Sequence, residues 1–162
     1  MPSHVKTIPE GFHSITPYLI VNDAARAIDF YKRAFGATEL MKMPGPGGKI
    51  AHAEIKIGDS VVMISDETPG NQSPQSLGGS CVGIMLYVND VDVVFERAKS
   101  AGAKQDAAPA NMFWGDRHGR LTDPFGHKWS LATHIEDVAP EEMAKRMKEA
   151  TAKAGEPVGS AV

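Results

Sequence analysis

Residues 111–134 are unusually dense in polar, aromatic and turn-forming side chains. Trp114 stands next to Phe113 and close to Asp116 and Arg117. An indole near a guanidinium offers a flat apolar face and a fixed positive charge, a pairing that suits a planar or anionic ligand. We therefore predict that these four residues bind a ligand. The alternative is that Asp116 and Arg117 form a structural ion pair that closes a hairpin.

His52 and Glu54 are the candidate catalytic residues. They are two positions apart in a segment with the composition of a strand, so their side chains face the same side. A carboxylate beside an imidazole can tune it as a general base. The alternative is a pair of polar residues that faces solvent.

Three further histidines, His118, His127 and His134, lie in or at the end of the 111–134 stretch. Their spacing matches no compact metal-binding signature. His127 follows a turn glycine, and we expect it to pack within the turn. Cys81 is the single cysteine of the chain, and we expect it to be a small buried thiol rather than a reactive one.

A hairpin is predicted to position these residues. The sequence Asp-Pro-Phe-Gly at 123–126 is a turn signal, because proline fixes φ and glycine tolerates a positive φ. The incoming strand is expected to carry Trp114 to His118. The outgoing strand covers residues 128–132, which alternate between polar and apolar side chains.

An internal repeat surrounds this hairpin. The segment 85–90 (MLYVND) repeats the chemistry of 18–23 (YLIVND), and apolar residues at helical spacing follow both segments. Asp23 is predicted to cap the first helix, and Gly36 to end it. Each half is thus predicted to contain a strand, a helix and three more strands, which gives an α+β fold.

The composition favours one compact domain of 162 residues. We place its parts at 1–13 (arm), 14–66 (first module), 67–80 (linker), 81–136 (second module) and 137–162 (C-terminal helix and tail). A net charge of −3 leaves no basic excess for nucleic acid or acidic membrane surfaces, and no apolar run is long enough to cross a bilayer. With one cysteine and no secretory signal, a cytoplasmic location is expected.

Several motifs together resemble the vicinal oxygen chelate superfamily, which includes glyoxalases, bleomycin-resistance proteins and dioxygenases, and most closely its PhnB-like branch. The motifs are 21–31 (VNDAARAIDFY), 34–37 (AFGA), 52–55 (HAEI), 57–60 (IGDS), 87–90 (YVND), 113–117 (FWGDR) and 123–127 (DPFGH). The resemblance implies two βαβββ modules that form a cup-shaped, mostly antiparallel sheet with the helices outside. It also implies a small-molecule site, often completed in a homodimer.

The same resemblance places the superfamily's metal ligands at Thr16, Met63 (or Val62), Gly83 and Ser130. None of these residues offers the imidazole or carboxylate that a divalent metal prefers, so no metal or other cofactor is expected there.

Two functions from different classes remain open. The first is a metal-free protein that binds a small aromatic or planar molecule in a cup lined by Tyr18, Met85, Tyr87, Phe113 and Trp114. The second is a metal-dependent lyase, isomerase or dioxygenase with a displaced ligand set such as His52, Glu54 and His118, or an enzyme that uses His52 and Glu54 alone as a base.

A terminal helix is predicted to begin at Pro140, since proline and acidic residues favour a first turn. Met143, Met147, Ala150 and Ala154 form an apolar stripe on it. We expect this stripe to dock on the domain or on a second subunit, and the protein to be a homodimer.

Overall fold

The computed structural model describes residues 5–154, without the side chain of Ala154. The elements in this range follow a repeated order. They are β1 (Tyr18–Val21), α1 (Ala24–Phe35), β2 (Thr38–Pro44), a 3-10 turn (Pro46–Gly48), β3 (Ile50–Ile57), β4 (Ser60–Asp66), α2 (Pro74–Leu77), β5 (Gly83–Tyr87), α3 (Val91–Ala101), β6 (Lys104–Asn111), β7 (Asp116–Thr122), β8 (Lys128–His134) and α4 (Pro140–Ala154).

The chain forms two compact units. The first comprises the residues up to Ser80 together with Pro124–His127, and the second comprises Cys81–Asp123 together with the residues from Lys128 onward. Each unit has its own four-stranded mixed sheet, in the order β1-β4-β3-β2 in the first and β5-β8-β7-β6 in the second. In both sheets the first and last strands of the unit run parallel and the other neighbours run antiparallel.

In the first unit, α1 is fixed to the sheet by two carboxylates. Asp23 caps the helix by accepting a hydrogen bond from the backbone N–H of Arg26 at 3.1 Å. The buried Asp66 at the end of β4 accepts from the N–H of Ala24 at 2.9 Å and from that of Ile50 at 2.7 Å. The start of α1 and the start of β3 therefore share one buried acceptor.

The second unit repeats this arrangement with a hydroxyl in place of the second carboxylate. Asp90 caps α3 through the N–H of Val93 at 3.1 Å. Thr133 on β8 accepts from the N–H of Val91 at 2.9 Å and donates to the carbonyl of Val88. The predicted repeat is therefore confirmed in element order, sheet order and helix anchoring.

The core of each unit lies between its helix and one sheet face. In the first unit, Ile28 and Tyr31 of α1 are buried with Ala53, Ile55 and Ile64 of the sheet. In the second, Phe95 of α3 is buried with Leu121, Trp129 and Leu131. The side chains that alternate with these residues on the strands lie on the opposite sheet faces.

The α+β fold with two modules and a C-terminal helix is confirmed. The turn at 123–126 joins β7 to β8, as predicted, and Phe125 packs with Phe30 and Tyr31 inside the first unit. The first strand begins after Pro17, whose ring removes a backbone donor. The predicted linker at 67–80 contains the short helix α2, which Ser73 caps.

Two local expectations differ from the structure. Trp114 lies in the turn between β6 and β7 rather than on the strand, where the N–H of Met112 donates to the carbonyl of Asp116 at 2.7 Å and Gly115 has φ 100°. Cys81 is exposed rather than buried. It precedes β5, so no sheet pairing brings it into the core.

Helix α4 begins at Pro140, as predicted, and is anchored by Arg146, which pairs with Glu136 at 2.7 Å and Glu142 at 3.0 Å. Its Met147 is 50% exposed. The first four residues of the predicted arm and the tail beyond residue 154 lie outside the described residues. No helix between residues 5 and 154 is long and apolar enough to cross a membrane.

Candidate functional site

Asp116 accepts three side-chain hydrogen bonds on the sheet face opposite α3. Its Oδ2 accepts from Tyr87 Oη at 3.0 Å and from Trp114 Nε1 at 3.1 Å, and its Oδ1 lies 2.8 Å from His134 Nδ1. Asp116 itself is only 3% exposed. Because a carboxylate can only accept, each of the three partners must point a donor at it. One buried anion therefore fixes the orientation of three rings.

The pKa values follow from these contacts. Burial raises the pKa of Asp116, but the hydrogen bonds from His134, Tyr87 and Trp114 outweigh burial and hold that pKa below its usual range. The hydrogen bond to Asp116 raises the pKa of the Tyr87 hydroxyl. Hydrogen bonds to Asp137, at 2.9 Å, and to Asp116 raise the pKa of His134. Asp116 is therefore held as an anion, and Tyr87 is held as a neutral donor.

Two more rings pack edge-on against Trp114. The ring centroids of Phe113 and His118 lie 5.1 Å and 5.8 Å from that of Trp114, at interplanar angles of 88° and 63°. Burial lowers the pKa of His118, the positive charge of Arg120 lowers it further, and Asp116 opposes both effects. The group is called the Asp116 cluster below and consists of Tyr87, Phe113, Trp114, Asp116, His118 and His134.

His118 is the one buried side chain of the described residues with an unpaired polar atom. It is 4% exposed, and its Nδ1 has no hydrogen-bond partner between residues 5 and 154. Met85 and Tyr87, two positions apart on β5, share a sheet face and are 46% and 59% exposed. The second unit therefore combines a buried polar centre with exposed apolar side chains on one face of β5.

Arg117 is directed away from the Asp116 cluster. Its Nε and Nη2 donate to the two carboxylate oxygens of Asp92 on α3, at 2.6 Å and 2.7 Å, and its Nη1 donates to Asn111. Successive strand residues point to opposite faces, so Arg117 lies on the helix side of the sheet and Asp116 on the other. The structure thus does not bring together the predicted pair Trp114 and Arg117, nor the alternative pair Asp116 and Arg117.

In the first unit, Tyr18, His52 and Glu54 form a hydrogen-bonded chain. Tyr18 Oη lies 2.9 Å from His52 Nδ1, and His52 Nε2 lies 3.3 Å from Glu54 Oε1. The side chains of His52 and Glu54 are 22% and 18% exposed. The predicted pairing of His52 with Glu54 is therefore present, and Tyr18, which the sequence assigned to the ligand cup, is its third member.

A cavity of about 440 Å³ lies next to this chain in the first unit. The sheet contributes Glu54 and Met63, which are partners in the β3–β4 register. The rest of the wall comes from residues before β1, namely Thr7, Ile8, Pro9, Phe12, His13, Ser14 and Thr16. Residues 7–13 were predicted only as part of an arm, since they show no strand or helix periodicity, and the aromatic Phe12 was their only signal. The superfamily resemblance had placed Thr16 at a metal position.

A comparison with known protein families identifies the superfamily of the chain. Residues 11–131 match the Glyoxalase/Bleomycin resistance protein/Dioxygenase superfamily. This protein belongs to that superfamily. The match spans the repeated elements from the end of the arm to β8, so the resemblance inferred from the sequence motifs is confirmed at the level of the superfamily.

Relatives of this superfamily protein occur in several bacteria. An uncharacterized protein of Mycobacterium bovis is 47% identical over 139 residues, which cover 83% of this chain and 91% of the relative. TioX from Micromonospora sp. ML1 is 31% identical with a TM-score of 0.62, over 76% of this chain and 99% of that one. The fosfomycin resistance protein FosX from Listeria monocytogenes, crystallised with Mn(II) and sulfate, is 18% identical with a TM-score of 0.60, over 82% of this chain and 97% of that one. The likeness to FosX shows the fold alone.

The residues that the resemblance places at the superfamily's metal positions do not fit a divalent cation. In the first unit they are Thr16, whose hydroxyl donates to the carbonyl of His13 at 3.3 Å, and Met63, a thioether. In the second unit they are Gly83, which has no side chain, and Ser130, which is 8% exposed. Hard divalent cations prefer carboxylate oxygens, and borderline ones such as Zn²⁺ prefer imidazole nitrogens. The four residues offer neither.

A displaced ligand set is also not assembled within either unit. His52 and Glu54 belong to the first unit and His118 to the second. Between residues 5 and 154, no group of three or more histidine, cysteine or acidic side chains is arranged to hold a metal ion. His127, expected to pack within its turn, lies with Nε2 3.0 Å from the carbonyl of Ile20.

Proposed function

We propose that this superfamily member binds a small, planar organic molecule at the Asp116 cluster, with no metal at the superfamily's ligand positions. The indole of Trp114 and the phenol of Tyr87 supply flat surfaces for stacking, and Met85 and Phe113 supply further apolar contact. His118 Nδ1, buried and unpaired, supplies a polar group that a ligand or a water molecule can satisfy when the cluster opens.

One observation carries the proposal, namely the three hydrogen bonds to the buried Asp116. A ring that is already held in place loses little conformational freedom when a ligand stacks on it, which favours binding. A cluster with a purely structural role has no need of exposed neighbours, yet Tyr87 is 59% exposed and Met85 46% exposed. The arrangement therefore supports recognition by shape and stacking.

The two tryptophans of the chain provide a direct test. Trp129 is 2% exposed in the core and donates to Asp123 at 2.9 Å, so it reports on folding alone. Trp129→Phe leaves Trp114 as the only indole, and Trp114→Phe leaves Trp129. Each variant is titrated with the uncharged planar compounds quinoxaline, phthalazine and nicotinamide while tryptophan fluorescence is followed.

The expected result is saturable quenching in Trp129→Phe and none in Trp114→Phe. Calorimetry of the best compound is expected to show binding weaker by about 1 kcal/mol in Trp114→Phe, because the smaller ring stacks over less area and no longer donates to Asp116. Circular dichroism checks that both variants are folded. If no compound quenches Trp114, or if Trp114→Phe binds as tightly as the parent, the proposal fails.

Metal analysis distinguishes the proposed function from the alternative, which is a metal-dependent lyase, isomerase or dioxygenase. FosX, which has a similar fold, was crystallised with Mn(II) and sulfate. Here we expect no stoichiometric divalent metal after dialysis and no shift in melting temperature with Mn²⁺ or Zn²⁺. A metal at 100 times its dissociation constant would add about 2.7 kcal/mol to the unfolding free energy. A shift in melting temperature that saturates at one equivalent of metal would favour the metal-dependent enzyme.

Three finer assignments accompany this proposal. They are the PhnB-like branch, a homodimeric state and a cytoplasmic location. The first is supported by the motifs 21–31 and 123–127, and the second by the exposed Met147 on α4. The third is supported by the single cysteine, which permits no disulfide within the chain.

A further inference from the structure

We propose that the cavity of the first unit is a second binding site, specific for a small organic ammonium ion with an apolar body. The cavity belongs to the first unit, and the Asp116 cluster belongs to the second. Its volume of about 440 Å³ falls within the range of about 300–1,000 Å³ typical of small-molecule pockets. The charged end of the ligand pairs with Glu54, and its apolar body lies along Ile8, Phe12 and Met63.

The charge of the cavity wall favours a cation. Among the described residues that line the cavity, Glu54 is the only acidic side chain, and no lysine or arginine is present. Glu54 makes no ion pair with a lysine or arginine anywhere between residues 5 and 154, and its single charged contact is with His52. The Glu54 side chain is 18% exposed, so its carboxylate remains accessible to a cationic ligand.

The hydrogen bonds of the Tyr18–His52–Glu54 chain occupy only one oxygen of Glu54. His52 Nε2 contacts Glu54 Oε1, and His52 Nδ1 contacts the Tyr18 hydroxyl. Glu54 Oε2 has no hydrogen-bond partner among the described residues, so one acceptor is available for an ammonium donor.

The rest of the wall suits the apolar body of such a ligand. Ile8, Pro9, Phe12 and Met63 provide aliphatic, aromatic and thioether surface. An aromatic ring near an ammonium adds a favourable cation–π contribution. A carboxylate ligand of the same shape would meet Glu54 with a like charge, so the site selects by the sign of the charge as well as by shape.

The test uses three molecules of one shape that differ in charge, titrated by calorimetry into the full-length protein near neutral pH. The probes are 3-phenylpropylamine, 3-phenylpropan-1-ol and 3-phenylpropionate. We expect the amine to bind at one equivalent and the alcohol to bind about tenfold more weakly, the size of effect of one charge-assisted hydrogen bond. We expect no measurable binding of the carboxylate.

Variants locate the site. Glu54→Gln keeps the shape and removes the charge, and we expect it to weaken amine binding about tenfold or more. Glu10→Gln is the matched control. Glu10 lies in the N-terminal arm that contributes to the cavity wall, but it pairs with Lys6 and does not line the cavity. It is expected to leave amine binding unchanged.

Three results would overturn the proposal. They are no binding of the amine, equal binding of the amine and the alcohol, and an unchanged affinity in Glu54→Gln. The comparison of the amine with the alcohol uses the parent protein, so it tests the ammonium site even if Glu54→Gln does not fold. Because Trp114→Phe tests the Asp116 cluster separately, failure of one site is distinguishable from failure of the other.

Discussion

Asp116 and Arg117 are adjacent in sequence, yet they enter different ion pairs on different faces of one sheet. Asp116 pairs with His134 at 2.8 Å, and Arg117 pairs with Asp92 at 2.6 Å. The sequence-based prediction that Arg117 binds a ligand stays untested. Its guanidinium already has three hydrogen bonds, so a ligand would compete with Asp92 and Asn111 for it.

His134 gives the second unit a defined pH dependence. Its pKa in the folded protein is raised above 6.5 by Asp137 and Asp116, so its stabilising contribution is fully present below about 6.5 and is lost as the pH rises through the raised value. The pKa of Asp116 is lowered below 3.8, so its contribution is lost as the pH falls through that lowered value. The cluster is therefore most stable between these two limits.

We predict that His134→Gln lowers the unfolding free energy most at mildly acidic pH, and that the difference from the parent shrinks as the pH rises. Urea denaturation across this range measures it. In Asp137→Asn the main cause of the raised His134 pKa is absent. The stabilising contribution of His134 is therefore expected to be lost at a lower pH than in the parent protein. A difference that grows with rising pH would contradict the assignment.

At the scale of elements, α3 approaches β7 too closely for any side chain at Gly119. A Cβ built there would lie 2.8 Å from Cε2 of the buried Phe95 and 3.1 Å from Pro109. Both distances are shorter than ordinary van der Waals contacts. The glycine therefore sets the distance between the helix and the sheet in the second unit.

We predict that Gly119→Ala lowers the unfolding free energy by about 1–3 kcal/mol, the usual cost of an overpacked core. Gly70→Ala is the matched control, because a Cβ there meets nothing within 4 Å. Urea denaturation of both variants measures the difference. If Gly119→Ala is as stable as Gly70→Ala, the helix can move without cost and the proposed constraint is absent.

For the whole molecule, the homodimer predicted from the sequence can be tested through α4. Met147 is 50% exposed, and Met143 precedes it by one helical turn. We expect sedimentation to show a dimer at micromolar concentration and Met147→Glu to shift it toward monomer, since a charge in an apolar contact is costly. Lys145→Glu, also on α4, is the control for added negative charge. A parent protein that sediments only as monomer would refute the prediction.

The sequence alone determined the features that depend on local order. These are the repeated modules, the cap at Asp23, the turn at 123–126 and the start of α4 at Pro140. Each depends on residues within a few positions of one another, where propensity, capping and turn chemistry act. The superfamily and the poor metal ligands at Thr16, Met63, Gly83 and Ser130 were also evident, because motifs are read from sequence directly.

Only the tertiary structure decided which side chains meet. The three donors to Asp116 come from β5, the β6–β7 turn and β8, and the Tyr18–His52 contact joins residues 34 positions apart. Arg117 was assigned to the ligand site because it stands close to Trp114 in sequence, whereas its actual partner Asp92 is 25 positions away. The cavity beside Glu54 depends on an arm without periodicity. Strand register and faces set these contacts, and register is a property of paired strands that no single segment specifies.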